Sequence, residues 1–309
     1  MTVAAVVVTY ERKALLRQCL AALQAQTRPV DEILVVDNAS TDGTAAMVRS
    51  AFPEVTLRVL DENRGGAGGF HEGMKMAAGR EADWIWVMDD DAEPAEDALE
   101  QLLAPGLHER PDTVGLTSLK RFPSGAPQYD QTGWYEPHRA RIEPITAADE
   151  TVTKVGYSSF VGLLVPARVI QTIGLPEAGF FIWYDDVEYC LRLRTQGRMY
   201  LVRDSRVIHH VSEGQRGEEV DKPWRHYPLS YFWRFYYSYR NRLLILHQHS
   251  STIRHQLRGA VTIVFYAVRS AVSVLCYSED KSRKLFLLLR AIVDGWTGRT
   301  GKRVDPADF

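Results

Sequence analysis

The first 90 residues repeat one pattern, and it leaves few folds open: a short apolar run, a polar break, an amphipathic stretch, then another apolar run. AAVVVTY (4–10) and EILVVDN (32–38) are β-branched runs of strand length, apolar enough to be buried on both faces. Between them, KALLRQCLAALQAQ (13–26) carries Leu15, Leu16, Leu20 and Leu23 at helical spacing. VTLRVLDE (55–62) and WIWVMD (84–89) read as two further strands, with helices near 43–51 and 70–79. Strands joined by helices of this length form right-handed βαβ units. The expected class is therefore α/β with a mostly parallel central sheet, its polar loops gathered at the carboxyl ends of the strands.

The polar residues fall on that rim. Thr9, Glu11 and Arg12 follow the first run, and Asp37, Asn38, Ser40, Thr41 and Asp42 the second. Asn63 and Arg64 follow the third, and Asp89, Asp90 and Asp91 the fourth. Any one of these could be a turn or a helix cap; four in register mark a ligand rim. The aspartate triplet is the sharpest case, because three adjacent like charges at the end of a buried strand need either water or a positive partner. A divalent cation would serve, with Asp89 and Asp91 facing one side and Asp90 the other. NRGGAGGF (63–70) lets backbone approach a phosphate, or simply makes a tight strand-to-helix turn. Its spacing is not GxGxxG, and the first strand ends in glycine-free TYER, which excludes a dinucleotide fingerprint.

A second acidic group, Asp185, Asp186 and Glu188, follows the hydrophobic wall Phe180–Tyr184. Partial desolvation there would raise a carboxyl toward neutral pH, as a general base requires. The competing reading is a helix N-terminus favouring the dipole and pairing with Arg192 and Arg194. His209 and His210 end a later strand, where a histidine can complete the ligand set of a carboxylate-bound cation. Residues 105–150 lose periodicity and contain six prolines, which predicts an irregular excursion with a hairpin lining a cleft. Residues 155–174 resume as a strand running into a short helix.

Composition excludes several classes. Three distant cysteines without a CxxC pair argue against a disulfide framework or zinc site and suit a reducing cytoplasm. The opening MTVAAVVVTYER is too short and too soon charged for a secretory signal. The net charge of −2 hides an asymmetry: Lys222 to Arg303 holds 15 Lys/Arg against 3 Asp/Glu, leaving 22 against 36 elsewhere. In that tail WRHYPLSYFWRFYYSYRNRLLILHQH (224–249) interleaves aromatics with arginines, and AVTIVFYAVRSAVSVLCY (260–277) is apolar but broken by Arg269. No apolar run there reaches the ~20 residues of a membrane span. The expected arrangement is residues 1–215 as one domain, with 216–309 a helical region lying on an anionic membrane interface or packed in a homo-oligomer. Nucleic acid is a poor partner for so acidic a body.

Six segments, VVVTYER, EILVVDNASTDGT, ENRGGAGGF, WVMDDDAEP, FFIWYDDVEYCLRL and VIHH, occur in the order found in family 2 glycosyltransferases of the GT-A fold, which the chain resembles over residues 3–212. The glycine-rich segment is most similar to bacterial galactofuranosyltransferases, then to rhamnosyltransferases. The resemblance implies inverting, Mn2+- or Mg2+-dependent transfer from a nucleotide-sugar to an acceptor hydroxyl. The donor would be UDP-galactofuranose, or alternatively dTDP-rhamnose. The acceptor would be a polyprenyl-diphosphate-linked or polysaccharide envelope glycan at the cytoplasmic membrane face. Carried over by motif, Thr9, Glu11 and Asp37 hold base and ribose. Asn63, Arg64, Gly66, Gly68 and Gly69 lie near the diphosphate and sugar, and Arg12, Asn38, Asp90 and Trp183 join them in binding substrate. Asp89 and Asp91 bind the metal with His210, leaving His209 as the competing ligand. Asp186 is the base, with Asp185 its rival, and Asp185 and Glu188 position the sugar or acceptor. A catalytically silent nucleotide-sugar-binding scaffold is the reading from another class, and it would have no need of both carboxylate clusters.

Overall fold

The computed structural model describes residues 1–211 and 227–308. In chain order the first half runs β1 (Val3–Thr9), α1 (Lys13–Gln24), β2 (Glu32–Asp37), α2 (Thr44–Ala51), β3 (Thr56–Val59), α3 (Gly65–Ala78), β4 (Trp84–Asp89), β5 (Ala92–Pro94), α4 (Ala98–Leu103) and β6 (Thr113–Arg121). It continues with β7 (Thr132–Glu136), β8 (Arg141–Pro144), β9 (Val152–Val155), β10 (Tyr157–Ser158), β11 (Leu163–Pro166), α5 (Ala167–Ile173), α6 (Asp185–Arg194) and β12 (Arg198–His209). Three long helices close the chain: α7 (Leu229–His249), α8 (Ile253–Tyr277) and α9 (Lys281–Trp296).

The main sheet has the strand order β3-β2-β1-β4-β11-β6-β12-β5, with β9 also pairing β12. β3, β2, β1 and β4 are mutually parallel, as their helical crossovers require. Beyond β4 the sheet is mixed: β11 runs antiparallel to both β4 and β6, whereas β12 is parallel to β6. Strand β1 shows why the apolar runs are continuous. Ala4, Val6 and Val8 pack with Phe70 and Met74 of α3 on one face, and Val3, Ala5 and Val7 with Leu16, Leu20 and Leu23 of α1 on the other.

The stretch 105–150 differs from expectation. Its first part is β6, buried along almost its whole length in the middle of the sheet. TVGLTSLKR hides this because glycine, threonines, serine and even Lys120 occupy fully buried positions, where hydrogen bonds replace apolar contact. The expected hairpin is β7–β8, which with β10 forms a separate three-stranded sheet. Helix α3 also begins five residues earlier than its spacing suggested and takes in the glycines. A Cβ at Gly69 would lie 2.4 Å from Val8 Cγ1, so glycine is what lets the helix sit down on β1.

The proposed boundary at 215/216 and the residues Trp224 and Arg225 lie outside the described residues. Helices α7, α8 and α9 enclose their own core, with Tyr236, Tyr239, Leu243, Ile263 and Leu287 among its members.

Candidate active site

The ends of β1, β2 and β4 meet at the aspartate triplet, and the positive partner in the structure is Arg12. Its guanidinium lies 3.2 Å from Asp90 Oδ1 and 2.6 Å from Asp91 Oδ2. Asp90 is turned toward the end of β1, where it accepts from Thr9 Oγ1 at 2.8 Å and from the Tyr10 amide. Burial raises its pKa to about 6 even against Arg12. Asp91 is as buried, yet the ring of His209 and the charge of Arg12 overcome desolvation and hold it below the usual carboxylate range. Asp89 goes the other way, driven well up by desolvation and by Asp91 and Asp90.

The donors fit a hard cation on one specific count. Asp91 Oδ1 is buried without a hydrogen-bond partner, with His209 Nε2 3.4 Å away. An anionic oxygen left that way is costly unless a positive charge reaches it. Among the described residues no group of three or more His, Cys, Asp and Glu side chains is already gathered about one point. The two histidines separate at this position. His209 faces Asp91 and is backed by Gln128 Oε1 at 2.9 Å from its Nδ1, whereas the ring of His210, the ligand expected on the resemblance, turns to Glu93 Oε2 at 2.6 Å.

Around the end of β2, Asp37 Oδ1 accepts from the Ser40 amide, while its Oδ2 is buried with no partner. Several other rim residues are spent on the scaffold. Glu11 accepts from the Thr41 amide and hydroxyl at 2.6 and 2.9 Å. Asn38 spans the start of α3, donating to Gly65 O and accepting from the Arg64 amide, and Asn63 Oδ1 takes the Gly65 amide. Arg64 lies near Glu62 and Glu72 at the surface. Gly68 packs against Arg64 and Gly69 against Val8, whereas the space above Gly66 is open. Gly65 has φ +72° and approaches Phe181 so closely that a Cβ would come within 2.0 Å of its carbonyl oxygen. The glycine segment therefore seats the turn that leads to the second acidic group.

That turn is strained: Phe181, Trp183 and Tyr184 all have φ between +62° and +68°, a region that costs any residue with a Cβ. Helix α7 holds it. Asn241 Nδ2, fully buried, lies 3.0, 3.0 and 2.7 Å from the carbonyls of Phe180, Ile182 and Trp183. Arg240 donates to the carbonyls of Gly179 and Phe180, and Arg242 donates to Tyr184 Oη at 2.6 Å. The basic, aromatic tail thus supports the active-site wall, a role no local pattern announced. Asn241→Ala should lower stability to denaturant by about 3 kcal/mol, since it removes the buried donor to the carbonyls of Ile182 and Trp183, and should depress transfer more than donor affinity; unchanged unfolding would show that Asn241 does not clamp the turn.

The strained turn delivers Asp185 and Asp186 to the first turn of α6. Burial raises both carboxyls, Asp185 to about 8 with Asp186 adding to the rise, and Asp186 to about 6 against the Val187 amide, Tyr157 and Lys120. Asp185 acts electrostatically on Asp89, so the two acidic clusters, about 95 residues apart in sequence, face one site. Asp186 is half-buried and accepts from Tyr157 Oη at 3.1 Å. Glu188 instead takes the pairing that helix spacing allowed: Arg192 grips both its oxygens, and His249 Nε2 is 3.0 Å from Oε1. Arg194 pairs with Glu136 rather than with this cluster. Trp183 packs its ring edge-on to Tyr231 and Phe235 of α7.

Known proteins resemble the chain in sequence and in fold. A family model described as glycosyl transferase family 2 matches residues 4–161. The galactofuranosyltransferase GlfT1 of Mycobacterium tuberculosis is 32% identical over 265 residues, covering 80% of this chain and 83% of that protein. Among solved structures, Staphylococcus aureus TarS 1–349 in complex with UDP-GlcNAc superposes with a TM-score of 0.61 at 17% identity, covering 96% of this chain and 81% of that one. GalNAc-T7 with UDP, GalNAc and Mn2+ superposes at 0.64 with 14% identity, covering 96% and 56%. At such identities these two neighbours speak for the fold alone, and the fold is that of GT-A glycosyltransferases.

Proposed function

The chain belongs to glycosyl transferase family 2, and from that premise we propose that it transfers galactofuranose, with inversion, from UDP-galactofuranose to a hydroxyl of a lipid-linked envelope glycan. The observation that carries this reading is the buried triplet, whose Asp91 keeps an unpartnered oxygen, with a second buried carboxyl, Asp185, near enough to act on Asp89. One cluster serves the leaving diphosphate and the other the attacking hydroxyl, as displacement at an anomeric carbon requires. The likeness to a galactofuranosyltransferase along four-fifths of the chain supports the choice of sugar.

In this mechanism the unpartnered Asp37 Oδ2 accepts a hydrogen bond from the nucleoside. Asp89 and Asp91 would hold a divalent cation, with His209 rather than His210 as their histidine, because His209 is the ring beside Asp91. Such an ion would supply Lewis-acid neutralisation of the charge on the nucleotide diphosphate. Arg12 and Thr9 keep Asp90 in place at the cluster's edge. Asp186 takes the acceptor proton as the new glycosidic bond forms, while Tyr157 Oη orients its carboxylate. Glu188 serves through Arg192 and His249, fixing α6 rather than touching sugar.

The acceptor side rests on the tail. Helix α8 is 25 residues long with a mean hydropathy of 1.8 over its most apolar stretch, long and apolar enough to cross a membrane by length and composition. It packs through small residues, Gly259, Ala260, Ala267, Ser270 and Ser273, and exposes Leu257, Val261, Phe265, Val268, Val272 and Leu275 along its opposite side. Helix α9 adds exposed Phe286, Leu289 and Val293, and exposed Arg254, Arg258, Lys281 and Arg283 supply basic charge. We read this face as lying on the cytoplasmic surface of an anionic membrane, where a polyprenyl-linked acceptor resides. Phe265→Ser with Val268→Ser should lose co-sedimentation with anionic vesicles while folding normally; undiminished binding would sink the lipid assignment.

The donor is tested by thermal stabilisation with manganese against a panel of nucleotide-sugars, because a ligand bound only by the folded state raises its stability. UDP-galactofuranose should give the largest manganese-dependent shift. A larger shift with dTDP-rhamnose would reassign the donor, and binding without transfer to any acceptor would favour a silent scaffold.

A further inference from the structure

Lys120 lies on β6 with no solvent exposure, and its ammonium is surrounded by hydroxyls. Nζ donates to Ser158 Oγ at 2.5 Å, to Thr117 Oγ1 at 2.6 Å and to Thr132 Oγ1 at 3.3 Å. Thr117 and Ser158 also bond each other at 2.7 Å. Among the described residues no carboxylate forms an ion pair with it. Neutral partners alone compensate a buried charge poorly, and burial accordingly lowers this amine to about 7. The two groups opposing that drop are Cys190 and Asp186. Burial pushes the Cys190 thiol up to about 12, so it is uncharged near neutral pH, and Asp186 is left as the anion that Lys120 feels. The two are also linked through structure, since Ser158, which anchors Nζ, adjoins Tyr157, whose hydroxyl donates to Asp186.

We infer that Lys120 is a positioning residue for transfer: its buried ammonium, anchored on Ser158, sets Tyr157 against Asp186 and keeps that carboxyl ionised to receive the acceptor proton. This rests on Asp186 being the base. The charged and titratable groups facing Asp186 are Lys120 from β6, Tyr157 from β10, and Asp185 and Cys190 from its own helix. Burial favours the protonated carboxyl, and Lys120 opposes it. Removing the ammonium therefore widens the acid range over which Asp186 is protonated, and the acid limb of the rate profile moves to higher pH.

Stability moves the opposite way from that of an ordinary structural lysine. The folded pKa lies below the ordinary value of 10.5, so between about 7 and 10.5 the unfolded chain holds a proton the folded chain does not. Lys120 thus costs stability that is recovered as pH rises through that window. A Met of similar length removes the cost.

The test compares wild type, Lys120→Met, Ser158→Ala and Asp186→Asn. Infrared difference spectra across the acid-to-neutral range follow the carboxylic-acid band that Asp186→Asn removes, and manganese-dependent transfer from UDP-galactofuranose is profiled over the same pH range. Lys120→Met should melt at the wild-type temperature or above it, with the band midpoint and the acid limb both raised by about one unit and the rate below that limb about tenfold lower. Ser158→Ala should shift the midpoint in the same direction by less, and it carries the test should the Met variant fail to fold. A folded Met variant with an unchanged midpoint overturns the proposal. Transfer retained by Asp186→Asn instead overturns the base assignment, while the midpoints of the other variants still judge Lys120.

Discussion

Asp91→Ala is expected to abolish manganese-dependent stabilisation by UDP-sugars. Asp91 is only 5% exposed, yet its carboxyl is held ionised, and one of its oxygens lacks any hydrogen bond. A residue so arranged gains most from a cation. At a donor concentration a hundredfold above Kd, bound ligand contributes about 2.7 kcal/mol of stability, and that increment should vanish in the variant. The protein without ligand should change less, because Arg12 keeps its contact with Asp90. Calorimetric titration of Mn2+ with and without UDP reads this directly, and metal-linked donor binding at wild-type strength would strike Asp91 from the ligand set.

Asp186→Asn is expected to leave donor binding intact and to reduce transfer by about 10²- to 10⁴-fold, the usual worth of a general base. The amide oxygen can still accept from the Val187 amide while Nδ2 donates to Tyr157 Oη, so the start of helix α6 keeps its contacts, but the side chain can no longer take a proton. In the wild type, burial raises this carboxyl, so transfer should climb with pH through a midpoint above the ordinary carboxylate range, and the variant should lose that limb. Transfer within tenfold of wild type would hand the role to Asp185.

The parallel half of the fold was legible because strands buried on both faces must be continuously apolar, and β1, β2 and β4 are. The same reasoning placed the polar rim correctly at the strand ends, since right-handed crossovers leave no other place for those loops. Strand β6 was illegible for the converse reason: its buried positions carry Thr117, Ser118 and Lys120, satisfied by Ser158 of β10 and Ser205 of β12. Local pattern also did not show which rim atoms the scaffold uses: Glu11 Oε1 is engaged by Thr41 and the Asn38 amide by Gly65 and Arg64, whereas Asp37 Oδ2 is buried without a partner.

From the residues alone came the α/β layering, the four-strand rim and the presence of two acidic groups, all of them consequences of periodicity and of where charge can stand. Tertiary structure decided how those groups are used. It put Arg12 on the triplet and buried Lys120 among the hydroxyls of Thr117, Thr132 and Ser158. It called Asn241, about 60 residues downstream, to hold a turn that would not keep three positive φ values unaided. It also set the ring of His209 beside Asp91 and that of His210 beside Glu93. Adjacent strand residues face opposite sides, but β12 shifts register against β6 between Val202 and Arg206. Beyond such an irregularity, counting by twos along the sequence no longer tells which side a residue faces.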